Sequence, residues 1–298
     1  MLRPRPKAER FTTVEARIDT AAKLLLERLP RLGFAGSLVE FLVFGLKQAW
    51  ACLFGGAFLG VVLATSFFWP KVASYARYDF LFVAAIGFQA ALLALRLEQP
   101  KEALVILIFH IVGTIMEIFK TGQGSWAYPE NSLFHIAGVP LFSGFMYAAV
   151  GSYIARATRI FDFEFTGYPN IALSLLLAAG IYANFFTHHY IWDLRYLLFA
   201  ATAWLFWRTT IHYRVFRFRH QMPLLLGFAL VALFIWIGEN LGTWSKVWLY
   251  PNQKQGFVLV SLGKFGSWYL LMIISFVLVN LVHRPKLLSA NQSDQTRP

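Results

Sequence analysis

Two glutamates, Glu117 and Glu239, lie in apolar segments, and each is followed by the same frame: Trp nine residues on, Tyr eleven, Pro twelve. The first copy carries Trp126, Tyr128 and Pro129, and the second Trp248, Tyr250 and Pro251. At the same offset of 122 residues Thr121 matches Thr243, Gly144 matches Gly266 and Tyr147 matches Tyr269. A carboxylate beside hydrocarbon is costly, so its appearance twice in one context points to a duplicated working site. A carboxyl in such surroundings can act as a general acid or hold a proton for coupled transport. Two acids facing one cavity would titrate apart and leave one acid and one base.

Glu117, Glu239 and His110 are the candidate catalytic groups. Thr121, Trp126, Tyr128, Pro140 and Tyr147 are candidate substrate-binding residues in the first copy, with Asn240, Thr243, Trp248 and Tyr250 in the second. The rings would wall a cavity, and Gly122, Gly124, Gly138 and Gly144 would let backbone or ligand approach closely. His110 precedes Glu117 by seven residues, with Gly113 and Thr114 between, so these share one helix face and suggest a proton path. Its counterpart at the repeat offset is Ala232, so the halves are not equivalent, and Glu117 is expected to matter more than Glu239. The plainer alternatives stand beside these. The aromatics then form an interfacial belt. Each acid is structural, bonded to Thr121, Thr243 or Lys120, and His110 is satisfied by a backbone carbonyl.

His188 and His189 followed by Asp193 place one imidazole and one carboxylate four apart, a spacing metal sites use, but two ligands make no framework and no metal is expected. Phosphate loops, nucleophile elbows and Walker motifs are missing, and no cofactor is implied.

The medium follows from composition. Hydrophobic residues make up 58% and charged residues 14%. The expected fold is all-α: a polytopic membrane protein of about eight transmembrane helices, arranged as two parallel four-helix halves. The crossings are expected near Trp50–Trp69, Asp79–Leu95, Ala103–Phe119, Phe134–Ala155, Asn170–Thr187, Tyr190–Trp207, Met222–Leu241 and Phe257–Val282. Period-two alternation is absent, which argues against a β-barrel. Of 27 Lys and Arg, 20 fall on the side of the termini, six lie opposite and Lys264 lies inside a crossing. The positive-inside rule then puts both termini in the cytoplasm of a multipass inner-membrane protein. The net charge of +12 reads as topology and attraction to anionic lipid, with no nucleic-acid partner. Residues 1–33 read as an amphipathic cytoplasmic segment, 34–284 as the transmembrane domain and 285–298 as a disordered tail.

The run HIVGTIMEIFKTGQGSWAYPE…GVPLFSGFMYAAVGSYI, with WIGENLGTWSKVWLYP later, resembles the YoaT-like family of bacterial multipass proteins of unknown function. That resemblance implies a whole-chain membrane domain. A second is to membrane carotenoid hydratases and small lycopene cyclases, with Glu117, Thr121, Gly124, Trp126, Tyr128, Gly138 and Pro140 at the matching positions. It implies that Glu117 protonates a carbon–carbon double bond of an isoprenoid, with aromatic rings stabilising the cation. Three classes of function follow: an enzyme acting on an isoprenoid or other lipid, a carrier or channel for a small solute or proton, and a structural membrane protein.

Overall fold

The computed structural model describes residues 34–70, 73–216 and 218–288, with Ala16, Arg17, Thr20, Ala21 and Leu24 before them. The amphipathic helix expected within residues 1–33 therefore lies largely outside the described residues, as does the tail from 289 onward. The chain is mostly helical. The helices are α1 (Phe34–Ala51), α2 (Leu53–Phe68), α3 (Arg77–Ala94), α4 (Pro100–Gly122), α5 (Phe142–Ile160), α6 (Ile171–Thr187), α7 (Arg195–Phe206), α8 (Leu224–Trp244) and α9 (Leu262–Val282).

Side-chain distribution along the long helices is the reverse of a water-soluble bundle. On α4, Leu104, Leu107, Ile111 and Ile115 are exposed, while Glu102, Thr114, Glu117 and Lys120 are buried. On α8, Leu226, Leu230, Leu233, Phe234 and Ile237 face out while Glu239 and Thr243 face in. An apolar exterior around a polar interior is what a hydrocarbon solvent selects, because polar groups there must be satisfied within the protein. This is a helical, membrane-associated protein.

Among the described residues four helices, α3, α4, α8 and α9, are long and apolar enough to cross a bilayer. A fifth crossing is reached if α1 and α2 count as one span broken by a 68° bend. The expected eight crossings are thus not delivered by length and apolarity alone: α6 has 17 residues and α7 only 12, short of the roughly 20 a crossing needs. The bend at Cys52 has a visible support. Arg156, fully buried on α5, donates to the Trp50 carbonyl at 3.2 Å and to Glu98 Oε1 at 3.2 Å, so a carbonyl at the break finds a partner.

The packing of α4 on α5 rests on missing side chains. A methyl group at Gly113 would meet the Tyr147 ring at 2.6 Å, and one at Gly151 the Phe109 ring at 2.7 Å. One at Gly144 would sit 2.5 Å from both His110 Nδ1 and Thr114 Oγ1. Small residues against large ones bring helix axes close where no water drives association.

The purely α-helical expectation needs correction. A four-stranded sheet in the order β5-β4-β3-β6 gathers β3 (Glu164–Thr166), the hairpin β4 (Thr210–Arg214) and β5 (Arg219–Pro223), and β6 (Lys286–Leu287). The basic stretch from Arg208 to His220 is therefore a hairpin rather than a loose loop. Ile211 is buried beneath it and Arg219 pairs with Glu164. Lys286–Leu287, placed by sequence in the tail, pair with β3 instead. A two-stranded piece, β1 (His135–Ile136) and β2 (Val139–Pro140), lies at the opposite end.

Both α4 and α8 stop in the same way. Gly124 N donates to Thr121 O at 3.0 Å and Ser125 N to Lys120 O at 3.0 Å. At the corresponding positions Lys246 N donates to Thr243 O at 3.0 Å and Val247 N to Gly242 O at 3.1 Å. This double closure requires a left-handed residue: Gly124 has φ +67° and Lys246 φ +58°. Only the first copy uses the residue type suited to it. The Lys246→Gly substitution is therefore expected to stabilise the protein by about 1 kcal/mol, and Gly124→Ala, whose Cβ meets no neighbour, to cost about as much. Gly144→Ala should cost more, about 1–3 kcal/mol, since His110 and Thr114 must give way. Thermal unfolding in detergent measures all three.

Candidate functional site

Glu117 lies on the last turns of α4 and is only 2% exposed; Glu239 lies at the same distance from the end of α8 and is 4% exposed. Each needs donors, and the chain after each helix supplies them. The closed turn at Gly124 aims Trp126 back along α4, where its Nε1 donates to Glu117 Oε2 at 2.7 Å. Tyr128 donates its hydroxyl to the same oxygen at 2.7 Å, and Tyr147, from the facing turn of α5, donates to Oε1 at 2.8 Å. In the second copy Tyr250 donates to Glu239 Oε1 and Trp268 Nε1 to Oε2 at 2.6 Å.

Trp248 does not take the role its position suggests. Its ring fills the space over Gly242, and the second indole donor is Trp268 of α9. Trp268 was not foreseen; its neighbour Tyr269 matches Tyr147, and that was the available signal. Tyr269 itself turns to Phe199 and Phe228 and leaves Glu239 to its neighbour.

The loops carrying these rings are pinned. Asp79, at the start of α3, accepts from Ser132 Oγ at 2.7 Å and from the backbone N–H groups of Leu133 and Phe134 at 2.9 Å. Arg77 holds Glu130 at 2.5 Å, and Tyr78 donates to Val247 O at 2.8 Å. In the second loop Asn240 Oδ1 accepts from Val260 N at 2.9 Å, and Trp236 Nε1 donates to Val260 O at 3.1 Å. The two loops also join each other. Ala127 and Leu249, which correspond under the 122-residue offset, form an antiparallel bridge with N–H···O distances of 2.9 Å in both directions.

The two carboxylates are thereby linked through rings. Trp126 meets Tyr250 edge-on with centroids 6.0 Å apart, and Tyr147 lies 6.2 Å from Trp268. Lys264, in the first turn of α9, holds its ammonium 4.9 Å over the Trp126 ring and 4.5 Å over the Tyr250 ring, within electrostatic reach of both acids. The sequence marks this lysine only as a charge inside a crossing. Burial, then the neighbouring carboxylates, push the Tyr128 and Tyr250 phenols well above the usual tyrosine range. Both stay protonated at neutral pH and act as donors.

Other expectations fare differently. Neither Thr121, Thr243 nor Lys120 bonds a glutamate. Thr243 donates to Asn240 O at 3.2 Å, and Thr121 Oγ1 is buried without a partner. Lys120 Nζ lies 3.2 Å from His188 Nε2 and 2.8 Å from His189 Nε2. His110 packs its ring 4.4 Å from Phe145, and its Nδ1 has no hydrogen-bond partner. Thr114 donates to the His110 carbonyl at 2.7 Å, so no side-chain relay connects His110 to Glu117. Pro140 is buried in β2 and Asn240 serves its own loop. Asp193 goes to Arg195 at 3.1 Å and to Asn184, and among the described residues no three His, Cys, Asp or Glu gather.

Since an unmatched buried donor costs about 1–3 kcal/mol, removing the acceptor should hurt in proportion to the donors it serves. Glu117→Ala strands three donors and Glu239→Ala two, so the first is expected to lower the melting temperature in detergent further than the second.

Residues 40–276 match a family described as a protein of unknown function, DUF817. A relative from Bacillus subtilis (strain 168), named uncharacterized protein YoaT, is 41% identical over 243 residues, covering 82% of this chain and 91% of the relative. A solved structure, a cross-linked MvINS trimer, is similar over 64% of this chain and 98% of its own at 14% identity with a TM-score of 0.45. Matching over most of its length, the chain belongs to the DUF817 family.

Proposed function

We propose that the protein is a multipass membrane enzyme that moves a proton between Glu117 and a bilayer-dissolved isoprenoid or other lipid. The observation that carries the reading is the position of Lys264. Its ammonium rests over the faces of Trp126 and Tyr250, with Glu117 and Glu239 both within electrostatic reach. A place that holds a tethered positive charge against two rings and two acids suits a cationic transition state. In the proposed step the protonated Glu117 carboxyl gives its proton to one carbon of a double bond. A carboxylate and a carbocation remain; the cation then gives a neighbouring proton back to the carboxylate, or takes up water whose extra proton the carboxylate accepts, and either way Glu117 is protonated again. Tyr128 and Tyr147, both bonded to Glu117, hold it in place through both transfers. Glu239 serves as the supporting acid and Trp126 as part of the ligand wall. The residues themselves supply this chemistry, with no metal or organic cofactor.

A second reading, a carrier or channel for a proton or small solute, is favoured by one observation: His110 is half-buried in the middle of α4, with its Nδ1 buried and unbonded beside Gly144. The ends of the helices favour the enzyme, because both acids lie within about two turns of the helix termini, whereas transporter sites lie near the midplane.

In this reading α2–α5 and α6–α9 are two parallel halves related by an axis along the membrane normal, giving eight crossings with α1 at the cytoplasmic interface. The offset supports it: α4 shifted by 122 residues covers 222–244 against Leu224–Trp244, and α5 covers 264–282 against Leu262–Val282. The reciprocal Ala127–Leu249 bridge supports it too. The termini are then cytoplasmic and both Trp-x-Tyr-Pro loops lie on the outer side of the inner membrane.

Reporter fusions after Gly122 and after Gly242 should both read as external; cytoplasmic activity at either would overturn the topology. Mass analysis of lipid extracts from cells with and without the protein should reveal a lipid that depends on it. Glu117→Gln should abolish that difference while expression persists, and Glu239→Gln should only reduce it. A Glu117→Gln protein that retains the lipid difference would make the acid structural.

A further inference from the structure

Lys264 is held by aromatic faces alone. Among the described residues its ammonium has no hydrogen-bond acceptor and no carboxylate in ion-pair contact; it rests 4.9 Å from the centre of the Trp126 ring and 4.5 Å from that of Tyr250. The acids beyond those rings are already served. Both oxygens of Glu117 accept from Trp126, Tyr128 and Tyr147, and both oxygens of Glu239 accept from Tyr250 and Trp268.

The helix that carries Lys264 does not favour it either. It is the third residue of α9, at the end where unpaired backbone N–H groups make the helix positive and a cation is disfavoured. What holds the charge is therefore the pair of rings, which meet edge-on with centroids 6.0 Å apart. An aromatic face attracts a cation through its quadrupole and requires no N–H from it. Two such faces form a cage that responds to charge and ignores hydrogen-bond donors. A fully methylated ammonium or a carbocation would suit it as well as a lysine does. The cage also adjoins an apolar surface: Lys264 is half-buried, and Phe257, Val258, Leu259 and Leu262, which lead up to it, are exposed. A positive centre at the end of a hydrocarbon chain can thus reach the rings while its chain stays on that surface.

We propose that Lys264 is the resident occupant of a site for the cationic centre of an amphiphile, and that the ligand enters by displacing the Lys264 ammonium from Trp126 and Tyr250. Where that centre is the carbocation of the reaction, the assignment rests on the proton-transfer reading; as a site for a cationic amphiphile it stands without it. Lys264 then competes with the ligand, and the two positive charges take turns in one cage.

The test uses the full chain purified in neutral detergent and native mass spectrometry with three probes: dodecyltrimethylammonium, dodecylammonium and dodecanol. The trimethylammonium probe is expected to bind the wild type, and Lys264→Ala to bind it on the order of tenfold tighter, the factor that one partly desolvated cation–π contact is worth. Dodecanol should gain far less, and Trp126→Leu should weaken the trimethylammonium probe. In the wild type the same probe should raise acetylation of Lys264 by acetic anhydride several-fold, measured on peptides, whereas dodecanol should leave it unchanged. The acetylation needs no variant and so decides the matter even where a substitution fails to fold. Unchanged or reduced acetylation of Lys264, or equal binding to wild type and Lys264→Ala, overturns the proposal. An equal gain for dodecanol shows that space alone was opened, and binding indifferent to Trp126→Leu shows that the probe lies elsewhere; each overturns it too. Dodecylammonium that binds about tenfold tighter than the trimethylammonium probe overturns a cage indifferent to donors. The probes have no double bond, so their binding is read whether or not Glu117 transfers a proton, and failure of the site is told apart from failure of the chemistry.

Discussion

Burying two carboxylates in a layer of apolar helices is the constraint that the end of this protein carrying the Trp-x-Tyr-Pro loops must meet. Ionised or not, a carboxyl in such surroundings demands partners, and water is not there to provide them. The chain answers with indoles and phenols, whose large apolar bodies suit the surroundings and whose single polar atoms reach the acid. Three such donors meet Glu117 and two meet Glu239. The rest of this end exists to hold those rings in place: two matching helix stops turn the backbone, Asp79 and Asn240 tie down the loops, and Tyr78 bridges from α3 to the second loop.

Close packing lower in the helices serves the same end. Tyr147 can reach Glu117 because Gly113 lets its ring lie against α4, and Gly144 brings α5 up to His110 and Thr114 one turn earlier. A larger residue at either place would push α5 away and lift the Tyr147 hydroxyl from the acid. The small-residue contact and the hydrogen bond are therefore coupled, although one is apolar and the other polar.

Much of the candidate site could be read from sequence because it is local. Trp126 and Tyr128 follow Glu117 by 9 and 11 residues, and Tyr250 follows Glu239 by 11, so one helix stop suffices to bring each back. Tyr147 was found through its match to Tyr269. What escaped was set by tertiary packing. Trp268 supplanted Trp248 because the latter ring fits over Gly242, where the first copy has Lys120. Lys264 faces rings contributed by two separate loops, and no spacing in sequence announces that. The long apolar helices were legible as hydrophobic runs, but helix ends were not: α7 is short, and the basic stretch after it forms a hairpin that pairs through β4 with β3, which in turn takes β6 from far along the chain. The His110–Glu117 stripe was correctly on one face, yet Thr114 spends its hydroxyl on its own helix backbone.

The bridge between Ala127 and Leu249 carries an implication about ancestry. Two corresponding positions that each give a hydrogen bond to the other and receive one back obey the rule of a two-fold contact between identical partners. Within one chain the contact is intramolecular and independent of concentration. In a chain of half the length, the same strand would be self-complementary, and two copies would recognise each other through it. Joining the copies end to end would convert a dimerisation equilibrium into a fixed seam. Halves joined in that way would be free to change alone, and Lys264 and Trp268 on one side, with His110 and Lys120 on the other, are where the two segments differ.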